Sequence, residues 1–170
     1  MHVTWRPFEL HPEAPIEGIP REVYFGRARS GQMHSYMQSV AQSVGLEMQT
    51  RDLIINSRRA LGAAEFAREH GKFDEMHHAL FRAHWGGTGK LEDIDDLVRI
   101  GQSAGLDSDE LRKAIEEDRY ADVIDENRRV ASSAGIDAIP AHVFGRRYLV
   151  LGAQPYGVLK EVVDRVVAEG

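Results

Sequence analysis

An α/β chain interrupted by a helical block is the fold class that three observations predict. The sequence opens on an apolar–polar alternation, its long middle stretch runs helix-spaced apolar residues repeatedly into glycine, and it closes on a β-prone hairpin followed by an amphipathic tail. Val3 to Phe8 alternates well enough to read as a strand, which Pro7 ends or confines to an edge. Pro12, Pro15, Gly18 and Pro20 then exclude both a ladder and a regular helix from His11 to Pro20, so this stretch reads as an ordered loop or lid.

Helical spacing takes over at Met33, Tyr36, Met37, Val40 and Val44, with Gly45 placed for a left-handed cap, and the stripe reads as core filler. A short link through Leu53 to Ile55 leads to a helix carrying Ala60, Ala64 and Ala67 and ended by Gly71. The next helix shows one apolar stripe of Phe73, Met76, His77, Leu80, Phe81 and His84, stopping at Gly86. Leu91 to Ala104 follows and ends at Gly105. Asp107 with Glu110 has the pattern of a capping box and opens a helix through Leu111, Ala114 and Ile115; Tyr120 to Ala134 forms another, ended by Gly135. Ala141–Phe144 and Tyr148–Leu151 flank Gly145-Arg146-Arg147 as a hairpin. From Pro155 to Ala168 a last helix presents Val158, Leu159, Val162, Val163 and Val166 on one face.

Composition narrows the function classes. The chain has 170 residues, enough to bury a proper core, with 42% hydrophobic and 28% charged residues. A formal net charge of −6 argues against a broad electrostatic footprint for nucleic acid or anionic lipid. No stretch has the apolar length of a membrane helix and the N-terminus lacks a signal core, so the expectation is a cytoplasmic chain without nucleic-acid or membrane partners. There is no cysteine, which removes disulfides, thiolate ligands and thiol nucleophiles together.

Other chemical signals are weak. His70, His77 and His84 recur at seven-residue steps with His78 beside them, yet His77 and His84 fall on the apolar stripe and read as packed, hydrogen-bonded histidines rather than metal ligands. Gly86-Gly87-Thr88-Gly89-Lys90 lacks the full phosphate-loop spacing and follows a helix, so it reads as an interhelix loop. The pairs Arg58-Arg59, Arg128-Arg129 and Arg146-Arg147 read as solvated charges, with the last pair also able to attract an anionic partner. Asn56 and Ser57 suit helix capping, and no base or orienting group supports a catalytic Ser57. Tyr148 reads as a half-buried strand aromatic.

Three runs carry a family resemblance: Trp5-Arg6-Pro7-Phe8-Glu9-Leu10-His11-Pro12, then Gly135-Ile136-Asp137-Ala138-Ile139-Pro140, then Gly152-Ala153-Gln154-Pro155. Together, and in this order, they resemble the DsbA-like thioredoxin-fold family, in particular its FrnE-type and 2-hydroxychromene-2-carboxylate isomerase-like branch. The resemblance implies a thioredoxin-like fold built from residues 1–25 and 135–170, with 26–134 as an inserted helical subdomain. It also implies that Pro140 is the cis-proline of the substrate site, and that Ile139 and Pro140 bind an extended peptide or other ligand through main-chain groups. Relatives of this kind begin with a strand and a helix whose N-terminus carries Cys-x-x-Cys, or serine in the isomerase and kappa-class glutathione transferase branches. This chain matches the family only after that unit, so the resemblance implies a truncated N-terminus and no catalytic residue is assigned; no metal or cofactor is expected, glutathione entering only in the alternative reading below.

The missing strand would lie between Val3–Phe8 and Ala141–Phe144, and its loss would expose backbone groups and apolar surface. The first strand sliding in to pair with the hairpin, a homodimer that shares strands, or a complementing chain would each fill the gap, and a homodimer or the rearranged edge is the expected remedy. The expected function is a redox-silent DsbA-family protein with a retained binding cleft. One alternative is a disulfide oxidoreductase or glutathione-dependent isomerase whose catalytic unit is absent or supplied in trans; the other is a dimerising structural protein.

Overall fold

In the computed structural model, residues 2–49 and 51–169 are described, and the chain divides into two compact units, Met1–Asn127 and Arg128–Gly170. The first unit is helical apart from one two-residue ladder. Its elements are β1 (Ile19–Pro20), α1 (Arg21–Phe25), α2 (Arg27–Ser43), β2 (Leu53–Ile54), α3 (Arg58–Glu69), α4 (Phe73–Trp85), α5 (Ile94–Ser103), α6 (Ser108–Glu116) and the first half of α7 (Ala121–Ser133). The second unit holds the rest of α7, the hairpin β3 (Ala141–Phe144) and β4 (Tyr148–Leu151), and α8 (Tyr156–Glu169).

The core of the first unit follows from an alanine-rich helix. Ala60, Ala63, Ala64 and Ala67 of α3 are all buried, and these small side chains let α4, α5 and α6 approach its axis closely. Phe66, Met76, Leu97 and Leu111 fill the space between these helices and are almost completely buried. Each such side chain contributes about 1.5–3 kcal/mol by leaving water. Gly101 of α5 faces the Leu111 side chain so closely that a Cβ there would collide with it, and a glycine is what permits the α5–α6 crossing.

Helix ends are fixed by local chemistry. The Asp93 side chain accepts from the Asp96 N–H at 3.0 Å, and Asp107 accepts from the N–H groups of Asp109 and Glu110 at 3.0 and 2.9 Å. Before α3 the cap comes from Asn56, whose Oδ1 accepts from the Arg58 N–H at 2.9 Å while its Nδ2 donates to the Ala14 carbonyl at 2.8 Å.

Several sequence-based expectations change here. Val3–Phe8 forms no strand: among the described residues it has no ladder partner, and side chains hold it instead. Arg68 Nη2 donates to the Trp5 carbonyl at 2.9 Å, and Arg58 Nη1 pairs with Glu9, 3.1 Å away. Pro20, expected to exclude a ladder, stands in β1 opposite Leu53, and Ile19 stands opposite Ile54. Two residues at an edge tolerate a proline because its carbonyl still accepts. The Leu53–Ile55 link thereby contains a short strand.

The largest correction concerns α2. The stripe expected to fill the core is exposed, with Tyr36 at 67%, Val40 at 40% and Val44 at 65%, because α1 is the main element packed on this helix and Ala41 is its one buried residue. Phe81, likewise placed on a buried stripe by its spacing, is 54% exposed, whereas Met76 and Leu80 of the same helix are buried.

Candidate functional site

The second unit presents the residues that the sequence singled out for binding. Gly145 and Arg146 both take positive φ, 57° and 60°, and the Arg147 N–H closes the turn on the Phe144 carbonyl at 3.0 Å. This turn sets the register Ala141 to Leu151, His142 to Val150, Val143 to Leu149 and Phe144 to Tyr148. Alternation puts His142, Phe144, Tyr148 and Val150, all half-buried, on one face; α8 packs on β3. The opposite face carries Val143, Leu149 and Leu151, which are 58%, 41% and 37% exposed.

Two contacts latch the turn end of the hairpin to the end of α8. The Tyr148 hydroxyl donates to the Glu169 carboxylate at 2.7 Å, which raises the phenol pKa, and Arg147 pairs with the same carboxylate at 3.4 Å.

Ile139 and Pro140 stand at the entrance to β3, joined by a cis peptide bond. The Pro140 carbonyl accepts from the Gly152 N–H at 2.8 Å, and the Gln154 side chain donates to the Leu151 carbonyl at 2.9 Å, so the Gly152-Ala153-Gln154-Pro155 turn braces this end of the hairpin. Ile139 is 50% exposed, and among the described residues nothing hydrogen-bonds its main chain. No third strand pairs with β3 or β4 among the described residues. The site therefore offers a main-chain donor and acceptor, an open strand edge and an apolar sheet face. Groups arranged in this way are able to pair with an extended segment through its main chain.

The remaining candidates are structural. Among the described residues no three His, Asp or Glu side chains converge as a metal site. His70 Nδ1 bonds the Phe66 carbonyl at 2.8 Å. His77 stacks against Trp5, Phe73 and Phe81 at centroid distances of 4.7, 5.4 and 4.6 Å, and burial, reinforced by His78, lowers its pKa. Gly86 to Lys90 is a loop in which the Thr88 and Gly89 N–H groups return to the Ala83 carbonyl. Ser57 precedes α3 without capping it. Arg58 is not a solvated charge: it reaches Glu9, Asp118 and Asp125 at 3.1, 2.7 and 3.0 Å, and its pKa is raised by the hydrogen bonds to Asp125 and Asp118. Arg59 donates to the Glu92 carbonyl at 3.0 Å.

Sequence reasoning missed one ion pair because its members are remote in the chain, and it expected a hydrogen bond at one histidine that makes none at Nδ1. Arg51 forms a two-bond pair with Glu92 at 2.6 and 2.8 Å across 41 residues. Burial pushes the Glu92 carboxyl upward, but the Arg51 bonds and a backbone hydrogen bond outweigh it and leave the pKa lowered. His84, expected to find a hydrogen-bond partner, has a buried Nδ1 without one. Its pKa is lowered by burial and then by the Arg51 charge.

A histidine with a depressed folded pKa binds fewer protons folded than unfolded, so stability rises with pH. The His84 contribution is complete above the unfolded value of about 6.5 and is lost as pH falls through the lower folded value. Urea midpoints measured from pH 8 to pH 5 should fall for the parent protein and fall less for His84→Gln. Parallel curves would remove His84 from this account.

Parallel to these contacts, the architecture defines a class. A helical block together with a β-hairpin that follows a cis-proline and is backed by a terminal helix is the architecture of a thioredoxin-like fold with a helical insertion. The chain belongs to the DSBA-like thioredoxin domain family, which matches residues 1–164. It is 24% identical over 172 residues to the uncharacterized protein YwbO of Bacillus subtilis (strain 168), covering 99% of this chain and 82% of that protein. Among solved structures it resembles the probable DsbA oxidoreductase SCO1869 from Streptomyces coelicolor, with a TM-score of 0.88 and 25% identity, covering 97% of this chain and 75% of that one. A candidate protein disulfide isomerase from Nitrosomonas europaea shares the fold at a TM-score of 0.67 and 18% identity, over 85% of this chain and 74% of that one.

Proposed function

We propose that this chain is a redox-silent DsbA-family protein that holds an extended peptide segment against Ile139, Pro140 and the open edge of β3. The observation that carries this reading is the main chain of Ile139, half exposed at the head of an unpaired strand edge. Backbone pairing supplies affinity there, and the exposed Val143, Leu149 and Leu151 favour an apolar segment. With no cysteine in the sequence, the chain has no sulfur with which to attack a disulfide. On this reading residues 1–25 and 135–170 are the thioredoxin-like part, 26–134 are the helical insertion, and the protein works in the cytoplasm.

Peptide affinity and redox turnover test the two halves of the proposal separately. An extended apolar peptide labelled for fluorescence anisotropy should bind. The same peptide N-methylated at alternate amides should bind up to about tenfold more weakly for each hydrogen bond lost. Equal affinity of the two peptides would exclude strand pairing. In an insulin-reduction assay the chain should not accelerate turnover above the reductant alone, and acceleration would overturn the redox-silent assignment.

The same unpaired edge favours a second reading, in which a cysteine-bearing chain supplied in trans completes the sheet and restores disulfide or glutathione-dependent chemistry. Native mass spectrometry of the protein recovered from its own cells distinguishes them. A bound cysteine-bearing partner supports the second reading, and a chain without one supports the first.

A further inference from the structure

We propose that residues 2–6 form a strap docked on α4 through Trp5 and His77, and that a proton on His77 displaces Trp5, so that the strap lifts about Pro7 in mild acid. All the residues involved lie in the first unit, and nothing in this rests on the peptide-binding reading. Residues 2–6 are all exposed, and among the described residues they make no hydrogen bond from backbone to backbone. A cavity of about 330 Å3 lies between residues 2–5 and the start of α4, so the strap is not packed flush on the helix. It is held by the Trp5 ring on the His77 ring, 4.7 Å between centroids, and by the Arg68 bond to the Trp5 carbonyl at 2.9 Å. Pro7 and Glu9 are buried, and Arg58 pins Glu9, which places the hinge between residues 6 and 7.

His77 is a ring packed among rings. Phe73 stacks on it at 5.4 Å and Phe81 lies at 4.6 Å, so Trp5 closes a cluster that keeps water from the imidazole. A neutral imidazole suits that place and an imidazolium does not. The charged and titratable groups facing it are Arg68 of α3 and, on α4 itself, His78 and Asp74; the strap carries no carboxylate. Burial first, then His78 and Arg68, outweigh the pull of Asp74 and hold the His77 pKa below its ordinary value of 6.5. The neighbouring ring faces do not offset this. Phe73 already holds the Arg68 guanidinium 3.8 Å from its centroid, and Trp5 and Phe81 are tilted by 35° and 41° instead of lying flat on the imidazole. Lifting Trp5 returns His77 to water, so Trp5 and the proton compete for one side chain. The docked strap therefore holds fewer protons than the lifted one. Docking is strongest above about pH 6.5 and weakens as pH falls through the lower docked value, by at most about tenfold per pH unit for a single proton.

Fluorescence anisotropy of Trp5 in the Trp85→Phe chain, followed from pH 8 to pH 5 with far-UV dichroism on the same samples, tests this. Trp5 should be immobile at pH 8 and gain mobility below about pH 6.5 while the helices persist. His77→Phe keeps a ring for Trp5 to pack on but cannot take the proton, so it should hold Trp5 in place at pH 5. That variant retains His84, which separates the strap from the acid response of the helical block. Coupling of this kind is reciprocal, and Trp5→Ala should raise the His77 midpoint, read from its imidazole proton resonances, toward about 6.5. A Trp5 that stays immobile at pH 5, that is already mobile at pH 8, or that loosens equally in His77→Phe would overturn the proposal. So would mobility gained only together with loss of helix, or a His77 midpoint unmoved by Trp5→Ala.

Discussion

Arg58→Ala should destabilise the first unit by roughly 2–3 kcal/mol, at or just below the lower end of the range for breaking a buried ion pair. Glu9 is only 4% exposed, and Arg58 pairs with its carboxylate at 3.1 Å. Removing the guanidinium takes the ion-pair partner from that buried charge, whereas Asp118 and Asp125 are about half exposed and keep their contact with water. Glu9→Gln in the Arg58→Ala background should recover part of the loss, because a neutral amide tolerates burial better than an unpaired carboxylate. Urea denaturation of the four proteins in the cycle gives the coupling directly. If Arg58→Ala unfolds at the parent midpoint, the network is peripheral to stability.

Phe66→Ala should cost about 3–5 kcal/mol, the range for removing a large aromatic side chain from a packed core. Phe66 is 1% exposed in α3, lies 4.1 Å from the His70 ring centroid, and belongs to the cluster that joins α3 to α4, α5 and α6. Phe81→Ala, at a position more than half exposed, should cost far less. Comparable losses at the two positions would mean that the α3 face and the α4 outer face are buried alike, contrary to the packing described. The measurement is again the urea midpoint, with unchanged far-UV dichroism as the check that the helices persist.

The helices were legible because their signals are local. Ala60, Ala64 and Ala67, the Asp93 and Asp107 caps, and the glycines at 71, 105 and 135 each act within a turn or two of the chain, and the structure shows helices at those places. The hairpin registered for the same reason, since Gly145 and Arg146 form the turn between adjacent strands. What periodicity could not supply was the partner. The rows at Phe73 and at Met33 look alike as spacings, yet the first meets α3 and α5 and is largely buried, while the second meets little beyond α1. Val3–Phe8 alternates like a strand but has no neighbour to pair with among the described residues. The Arg58 and Arg51 networks join residues 41 to 67 positions apart, a separation that no local pattern encodes. At the candidate site, Ile139 and Pro140 were reached through resemblance, whereas the open sheet face beside them emerged only from the register of β3 on β4.

The attachment of residues 3–8 by other residues' side chains separates two properties that usually travel together. Pro7 and Glu9 are buried, so the segment is held in place, yet among the described residues none of the amides from Val3 to Phe8 donates to a backbone carbonyl. A ladder would tie positional order to slow hydrogen exchange, because opening the amide and releasing the strand would be one event. Here the two are uncoupled. Deuterium should enter these amides on the timescale of an unstructured peptide while the aromatic contact of Trp5 with His77 persists. Exchange data alone would then report as unfolded a stretch of chain that the guanidinium groups of Arg58 and Arg68 keep fastened to the helical core.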